Sequence, residues 1–285
     1  MGTSLLRRRL VAAAAGLALF AGGMAVAGSF GPATAEEGAA LTAFPGFSEV
    51  VGLSHPGNPA KTPLFPGDPA FRIRTVFTVP DDGFYLEVVR EGMHTGTHYS
   101  APCHFRRNAL CADELSPEDL VLPAVVIDVR EEVAADPDHV VRVADLMAWE
   151  EEFSPMPQEA AVLLWTGCDR FWSRGDTDGE PNYYNCGSGR PGVHQPGFAR
   201  AAVRWLLERG VLGRRGALGS DTFGPDPSAD AAFMPSYLTL ARHRVTIENL
   251  TNLRALPPVG AWIALGSPRN VNGSGAPGTV FGFVP

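Results

Sequence analysis

With 285 residues, 45% of them hydrophobic and 19% charged, the chain can bury one sizeable core or two small ones, and it is too apolar for wholesale disorder. Its net charge of −8 leaves no basic stripe for a polyanion, which argues against nucleic-acid binding. All 23 basic residues but Lys61 are arginine, which disfavours a Schiff-base mechanism.

Residues 1–35 read as an export signal. "LLRRRL" supplies a positive segment, a Gly/Ala-rich apolar stretch follows, and Ala33-Thr34-Ala35 fits a cleavage site. The expectation is a secreted or cell-envelope protein, exported by the Sec or twin-arginine route, with no membrane association after cleavage. Cleavage would remove three Arg and no acid, moving the net charge from −8 to −11. The remainder, 36–285, is expected to form a single domain.

Residues 36–70 are loop-like, with recurring Gly and Pro. Strand-like runs follow at 72–79 and 84–91, separated by the turn residues Asp81, Asp82 and Gly83. Further β-rich runs lie at 124–129, 161–165, 244–250, 261–266 and 279–284. "GFARAAVRWLLERG" predicts a helix with Phe198, Val203, Leu206 and Leu207 on one face and Gly210 as its stop, and "VADLMAWEEEF" a second. Strands scattered among fewer helices point to a mixed α/β domain and not a doubly wound sheet. The 173–192 segment reads as a long surface loop, a candidate lid. Three full pairings of Cys103, Cys111, Cys168 and Cys186 exist. Their order suggests Cys103–Cys111 and Cys168–Cys186, with buried free thiols as the alternative.

"MHTGTHYSAPCHF" (93–105) places His94, His98 and His104, three of seven histidines, inside eleven residues. On a straight strand His94 and His98 would stand roughly 13 Å apart, too far to share an ion. The Thr-Gly-Thr between them, with Pro102 beyond, disfavours a helix, so the chain must bend, and Gly96 permits the bend. His104 follows Pro102 as a third ligand or as a free acid–base imidazole. The plainer alternative is three hydrogen-bonding histidines in a polar loop. No G-x-S-x-G elbow and no P-loop is present.

"HTGTHYSAPCHF" resembles the His-x-Gly-Thr-His-x-Asp-x-Pro-x-His signature of the cyclase-like metal-dependent hydrolases, the kynurenine formamidase and isatin hydrolase-like putative cyclases. "TPLFPGDPAF", "LLWTGCDRFW", "HQPGFARAAVRWLLERGV", "LGSDTFGPD" and "VTIENLTNL" resemble further segments of that family in the same order. The resemblance implies a mixed β-sheet domain of the swivelling β/β/α type, with the metal site on the loop that carries the histidines. It implies His94 and His98 as ligands of a first metal, Glu248 as a ligand of a second metal in two-metal members and here as the third ligand of one, His104 as the catalytic histidine, Phe65 as a substrate contact, and commonly a homo-oligomer. Asp221 and Asp226 would either orient a ligand histidine from behind or cap a turn.

Two positions depart from the pattern. Ser100 stands where a bridging Asp is expected, and Ser236, twelve residues before Glu248, where the second metal's His is expected. A neutral hydroxyl is a poor ligand, so one divalent metal, Zn or Mn, is expected and not two. Cys103, His104 and His243 are other candidates for the third ligand, Cys103 the weakest. His194 is expected at the start of a helix, and His55 and His139 at the surface. The resulting expectation is a metal-dependent hydrolase that cleaves a small amide, lactam, formamide or lactone with metal-activated water, with Phe65 and the 173–192 loop as the pocket's apolar wall. The other reading is a metal-depleted relative that binds a small ligand without turning it over.

Overall fold

The computed structural model describes residues 46–173 and 180–285. Of two units, Met1–Thr42, with the expected export signal at 1–35, lies outside the described residues, and the second, Ala43–Pro285, is compact. In chain order the elements of the second unit are β1 (Glu49–Gly52), β2 (Arg72–Phe77), a helical turn α1 (Val79–Asp82), β3 (Leu86–Arg90), β4 (His98–Ser100), β5 (Val121–Asp128) and α2 (Arg130–Ala135). Then come β6 (Val140–Val141), α3 (Val143–Glu152), β7 (Ala161–Trp165), β8 (Gly197–Phe198), α4 (Arg200–Glu208), β9 (Arg215–Ser220) and α5 (Met234–Thr239). The last are β10 (His243–Glu248), β11 (Val259–Gly266), β12 (Gly275–Pro277) and β13 (Thr279–Val284).

Nine strands form one mixed sheet in the order β1-β13-β11-β5-β7-β9-β10-β4-β12. The middle four, β5, β7, β9 and β10, run parallel, and antiparallel pairs extend the sheet at both ends. The mixed α/β expectation is thereby met. Alternation along the strands sorts the core into two layers. Leu122, Val126, Leu163 and Ile247 join Ile263 and Val280 on one face. Val125, Ile127, Val162 and Leu164 turn to the other, where Leu146 and Trp149 of α3 and Ala202, Val203 and Leu206 of α4 cover them.

The predicted helices and most predicted strands appear, and the exceptions are local. β9, "RGALGS", carries no β-branched residue and no alternation, because it is central in the sheet and both its faces are buried, Ala217 in one core layer and Leu218 in the other. Gly219 lets it in: an added Cβ would meet Leu163 Cδ2 at 2.6 Å. The run at 72–79 ends early, because Thr78 gives its N–H to Asp82 and its hydroxyl to Asp81, making Val79–Asp82 a helical turn closed by Gly83 at φ +79°. The β2–β3 hairpin stands apart from the main sheet with Ile73, Phe77, Leu86, Val88 and Val89 exposed. Both suggested disulfides form, Cys103–Cys111 and Cys168–Cys186. Among the described residues no helix is long and apolar enough to cross a membrane.

Candidate active site

Strand register builds the centre of the site. β4 lies antiparallel to β10 with His98 opposite Glu248 and Ser100 opposite Thr246, so all four side chains share one face. Glu248 Oε1 accepts hydrogen bonds from the hydroxyls of Thr246 (2.8 Å) and Ser100 (3.0 Å). Its Oε2 faces His98 Nε2 at 3.3 Å, within ion-pair range but without hydrogen-bond geometry. Burial opposes ionisation of Glu248, yet the adjacent His98, as a positive charge, and the hydrogen bond from Thr246 prevail and bring its pKa down to about 2. Burial likewise opposes charging His98, and the Glu248 carboxylate outweighs it, raising the His98 pKa.

The predicted bend is present. Gly96 sits at φ +66°, and the His94 and His98 rings meet edge to face with centroids 5.1 Å apart. The Ser100 hydroxyl donates to Glu248, so toward His94 it accepts, from Nδ1–H at 3.2 Å. His94 Nε2 then accepts from the Ser274 hydroxyl at 2.9 Å, the tautomer following from this network. Burial, with His98 and His104 nearby, lowers the His94 pKa to about 3, so the ring is neutral. His104, at the end of a short helical turn from Pro102, stacks on His94 with centroids 3.9 Å apart. Its surroundings, burial first, lower its pKa as well, leaving a neutral imidazole that can accept a proton. The Cys103–Cys111 bridge braces this turn.

His94, His98, His104 and Glu248 open onto a cavity of about 240 Å³. Phe65, Phe105, Phe223 and Phe233 are its aromatic wall, and Asp68, Gln195, Asp226 and Ser236 its remaining polar lining. The expected wall from the 173–192 loop is not found among that loop's described residues. Instead Tyr183 and Tyr184 pack behind Phe223 at 4.9 and 5.4 Å between centroids, and Cys186 ties the loop to Cys168. Residues 174–179 of the candidate lid lie outside the described residues.

Several other expectations are corrected. Asp221 does not orient a histidine: its carboxylate accepts from Thr166 N–H, Thr166 hydroxyl and Gly167 N–H, holding the turn after β7. His243 is no candidate ligand, because Asp119 and Arg214 hold its two nitrogens. Cys103 is spent in its disulfide. His194 bonds Asp138 at 2.7 Å, and His55 is no surface residue but stacks flat on Trp172 with centroids 3.9 Å apart. Gln195 and Asp68 drew no attention in the sequence, where a lone amide and a loop carboxylate carry no spacing signal. Asp226 was read only as a turn or orienting residue, yet it lines the cavity. Burial pushes its carboxyl up to about 7, against the opposing hydrogen bonds from Ser236 and with Glu248 adding to the rise.

Donor chemistry tests whether an ion suits these residues. His98 Nδ1 donates to Gly96 O at 2.8 Å, so its buried Nε2, without a hydrogen-bond partner among the described residues, confronts a carboxylate oxygen. That juxtaposition needs a proton or a cation between them. Two ligands of one tetrahedral zinc, each about 2.0–2.1 Å from it, are themselves roughly 3.3 Å apart. The pair therefore fits the bite of one divalent cation. His94 is adjacent but engaged by two serines, and no group of three His, Cys, Asp or Glu among the described residues converges on a point as it stands. Ser236 turns both its N–H and its hydroxyl to Asp226.

Residues 51–227 match the sequence profile of the family described as Putative cyclase. The isatin hydrolase of Roseibium aggregatum is 30% identical over 202 residues, covering 68% of this chain and 73% of that protein. Isatin hydrolase A from Labrenzia aggregata, solved with benzyl benzoate, superposes with a TM-score of 0.72 at 26% identity, covering 83% of this chain and 93% of that one. Isatin hydrolase A from Ralstonia solanacearum gives 0.69 at 28%, covering 83% and 92%.

Proposed function

Because this chain belongs to the putative cyclase family, we propose that it is a hydrolase of small amides, lactams, formamides or lactones that works with one divalent cation, Zn or Mn. The observation that carries this reading is the buried His98 Nε2 set against Glu248 Oε2 at 3.3 Å on the wall of a cavity that His104 also lines. His98 and Glu248 would hold the ion, with His94 as third donor once it exchanges Ser274 for the metal. When bound, the cation supplies Lewis-acid polarisation of the carbonyl and lowers the pKa of a water toward roughly 7.

The chain's own residues do the rest. His104, neutral and open to the cavity, takes a proton from the attacking water and returns it to the leaving nitrogen or oxygen. Phe65, Phe223 and Phe233, with centroids 5.6 and 6.3 Å from Phe65, grip a flat apolar ring and exclude water. Ser100 and Thr246 orient Glu248 so that Oε2 faces inward. The proposal extends to an exported, homo-oligomeric enzyme, for which the exposed apolar β2–β3 hairpin is a ready contact.

One observation favours the second reading, a non-catalytic ligand binder: both nitrogens of His94 are satisfied by serines. The deciding experiment is metal content per chain, by elemental analysis of protein purified without chelator, alongside Glu248→Gln and His98→Ala. About one equivalent in the parent, lost in both variants, with hydrolysis of lactam or formanilide substrates, is the expected result. No metal after incubation with Zn or Mn, together with undiminished ligand binding, would establish the binder.

A further inference from the structure

At the wall of the cavity lies an acceptor that the chemistry above does not use. Gln195 is 7% exposed, and its Nε2 donates to the backbone carbonyl of Asp226 at 2.6 Å. Gln195 itself lines the cavity, and its Oε1 is buried with no hydrogen-bond partner among the described residues. The assignment of the two amide atoms is fixed by that bond: reversing them would set one carbonyl oxygen against another. The placement is rigid. Gln195 O accepts from Ser228 N–H at 3.1 Å, and Phe198 N–H donates to Pro225 O at 2.9 Å. Gly197 lets the two segments touch, since an added Cβ would collide with the Asp226–Pro227 peptide.

A held, buried, unpaired carbonyl is costly in the free protein and is satisfied by a ligand that brings a donor. Gln195 also shares the cavity with the reacting groups His98, His104 and Glu248. Its anchor, Asp226, shares Gly224 with Glu248: a Cβ on that glycine would meet Glu248 Oε2 at 3.5 Å and Asp226 Oδ2 at 3.8 Å.

We propose that Gln195 is a specificity-determining residue, whose Oε1 accepts the N–H of the scissile amide and so selects N–H lactams and anilides over esters, lactones and N-alkyl amides. The proposal rests on the hydrolase reading for its substrate class. An ester oxygen has no hydrogen and would set lone pair against lone pair, and an N-methyl group would occupy the acceptor's space. A site built around such a bond rejects analogues that lack the donor, because its own polar group is left unpaired.

The test uses two matched probe pairs, isatin with N-methylisatin and formanilide with N-methylformanilide. Binding is measured by titration calorimetry and turnover is followed in parallel, for the parent protein and for Gln195→Met, a chain of similar length without an acceptor. The parent is expected to bind the N–H member about 10- to 100-fold more tightly, and Gln195→Met to bring that ratio close to one, with a lowered melting temperature because the Asp226 carbonyl loses its donor. Should the variant not fold, the parent's ratio alone decides. A ratio near one in the parent, no binding of either N–H member, or an unchanged ratio in the variant would overturn the proposal. Turnover without N–H preference sinks this assignment alone, whereas N–H preference without turnover sinks the hydrolase reading and leaves the acceptor standing.

Discussion

Ser100 lies opposite Thr246 across β4 and β10, and both hydroxyls converge on the same oxygen of Glu248, Oε1. A carboxylate in place of the serine would face Glu248 directly. Ser100→Asp is therefore expected to lower the stability of the metal-free protein by roughly 3 kcal/mol or more, the cost of an uncompensated buried charge. Added Zn or Mn should restore it by bridging the two acids. Thermal melts with chelator and with Mn check this, and a variant that stays destabilised in saturating metal would show that no cation sits between these groups.

His104→Ala should leave metal content unchanged while lowering kcat by about 10²- to 10⁴-fold, the usual loss for a positioned acid–base group. Elemental analysis and single-turnover kinetics on one preparation separate the two effects. Full activity in the variant would remove His104 from proton transfer.

Asp226, with a folded pKa raised to about 7, gives a stability-versus-pH signature. A carboxyl raised above its unfolded value binds its proton more tightly when folded. Its contribution is thus fully present below the unfolded pKa near 4 and is lost as pH rises through about 7. Asp226→Asn should flatten the fall in melting temperature between pH 5 and pH 8. Parallel curves for parent and variant across that range would contradict the raised pKa.

The Cys103–Cys111 bridge closes a loop with a sequence separation of 8, next to His104. Replacing both cysteines by serine should cost roughly 2–3 kcal/mol by the chain-entropy relation and reduce turnover by loosening the turn that holds His104. Denaturant unfolding with and without reductant measures the first effect, and kcat the second. Lost stability with intact kcat would make the bridge purely structural.

Much of the fold was legible because its evidence is local. β5, β7, β10, β11 and β13 are β-rich runs, and α4 shows its apolar face at helical spacing, so composition within a few residues suffices. β9 and β12 escaped because glycine and alanine carry no β signal, and their burial is imposed by neighbours distant in sequence. Gly96 was readable for the opposite reason: a left-handed residue between two histidines is a local necessity. Asp221 stayed open between orienting a histidine and capping a turn, because an acid after a strand looks the same in either role; the structure gives it the turn, through Thr166 and Gly167.

The sequence by itself determined that three imidazoles would crowd around one glycine, which follows from spacing along a short stretch of chain, and that the sheet would be mixed, which follows from strand-like runs scattered among fewer helices. That Ser100 and Ser236 stand where stronger ligands are expected is what the family resemblance implies. Only the tertiary structure decided where the nitrogens point: His98 at Glu248, His94 at Ser100 and at Ser274, which lies 180 residues away. It alone set Gln195 on the cavity wall with its buried Oε1 unpaired. The reason is strand register and hydrogen-bond partnering, which join residues distant in the chain. A one-residue slip of β4 against β10 would turn His98 to the opposite face without changing a letter of the sequence.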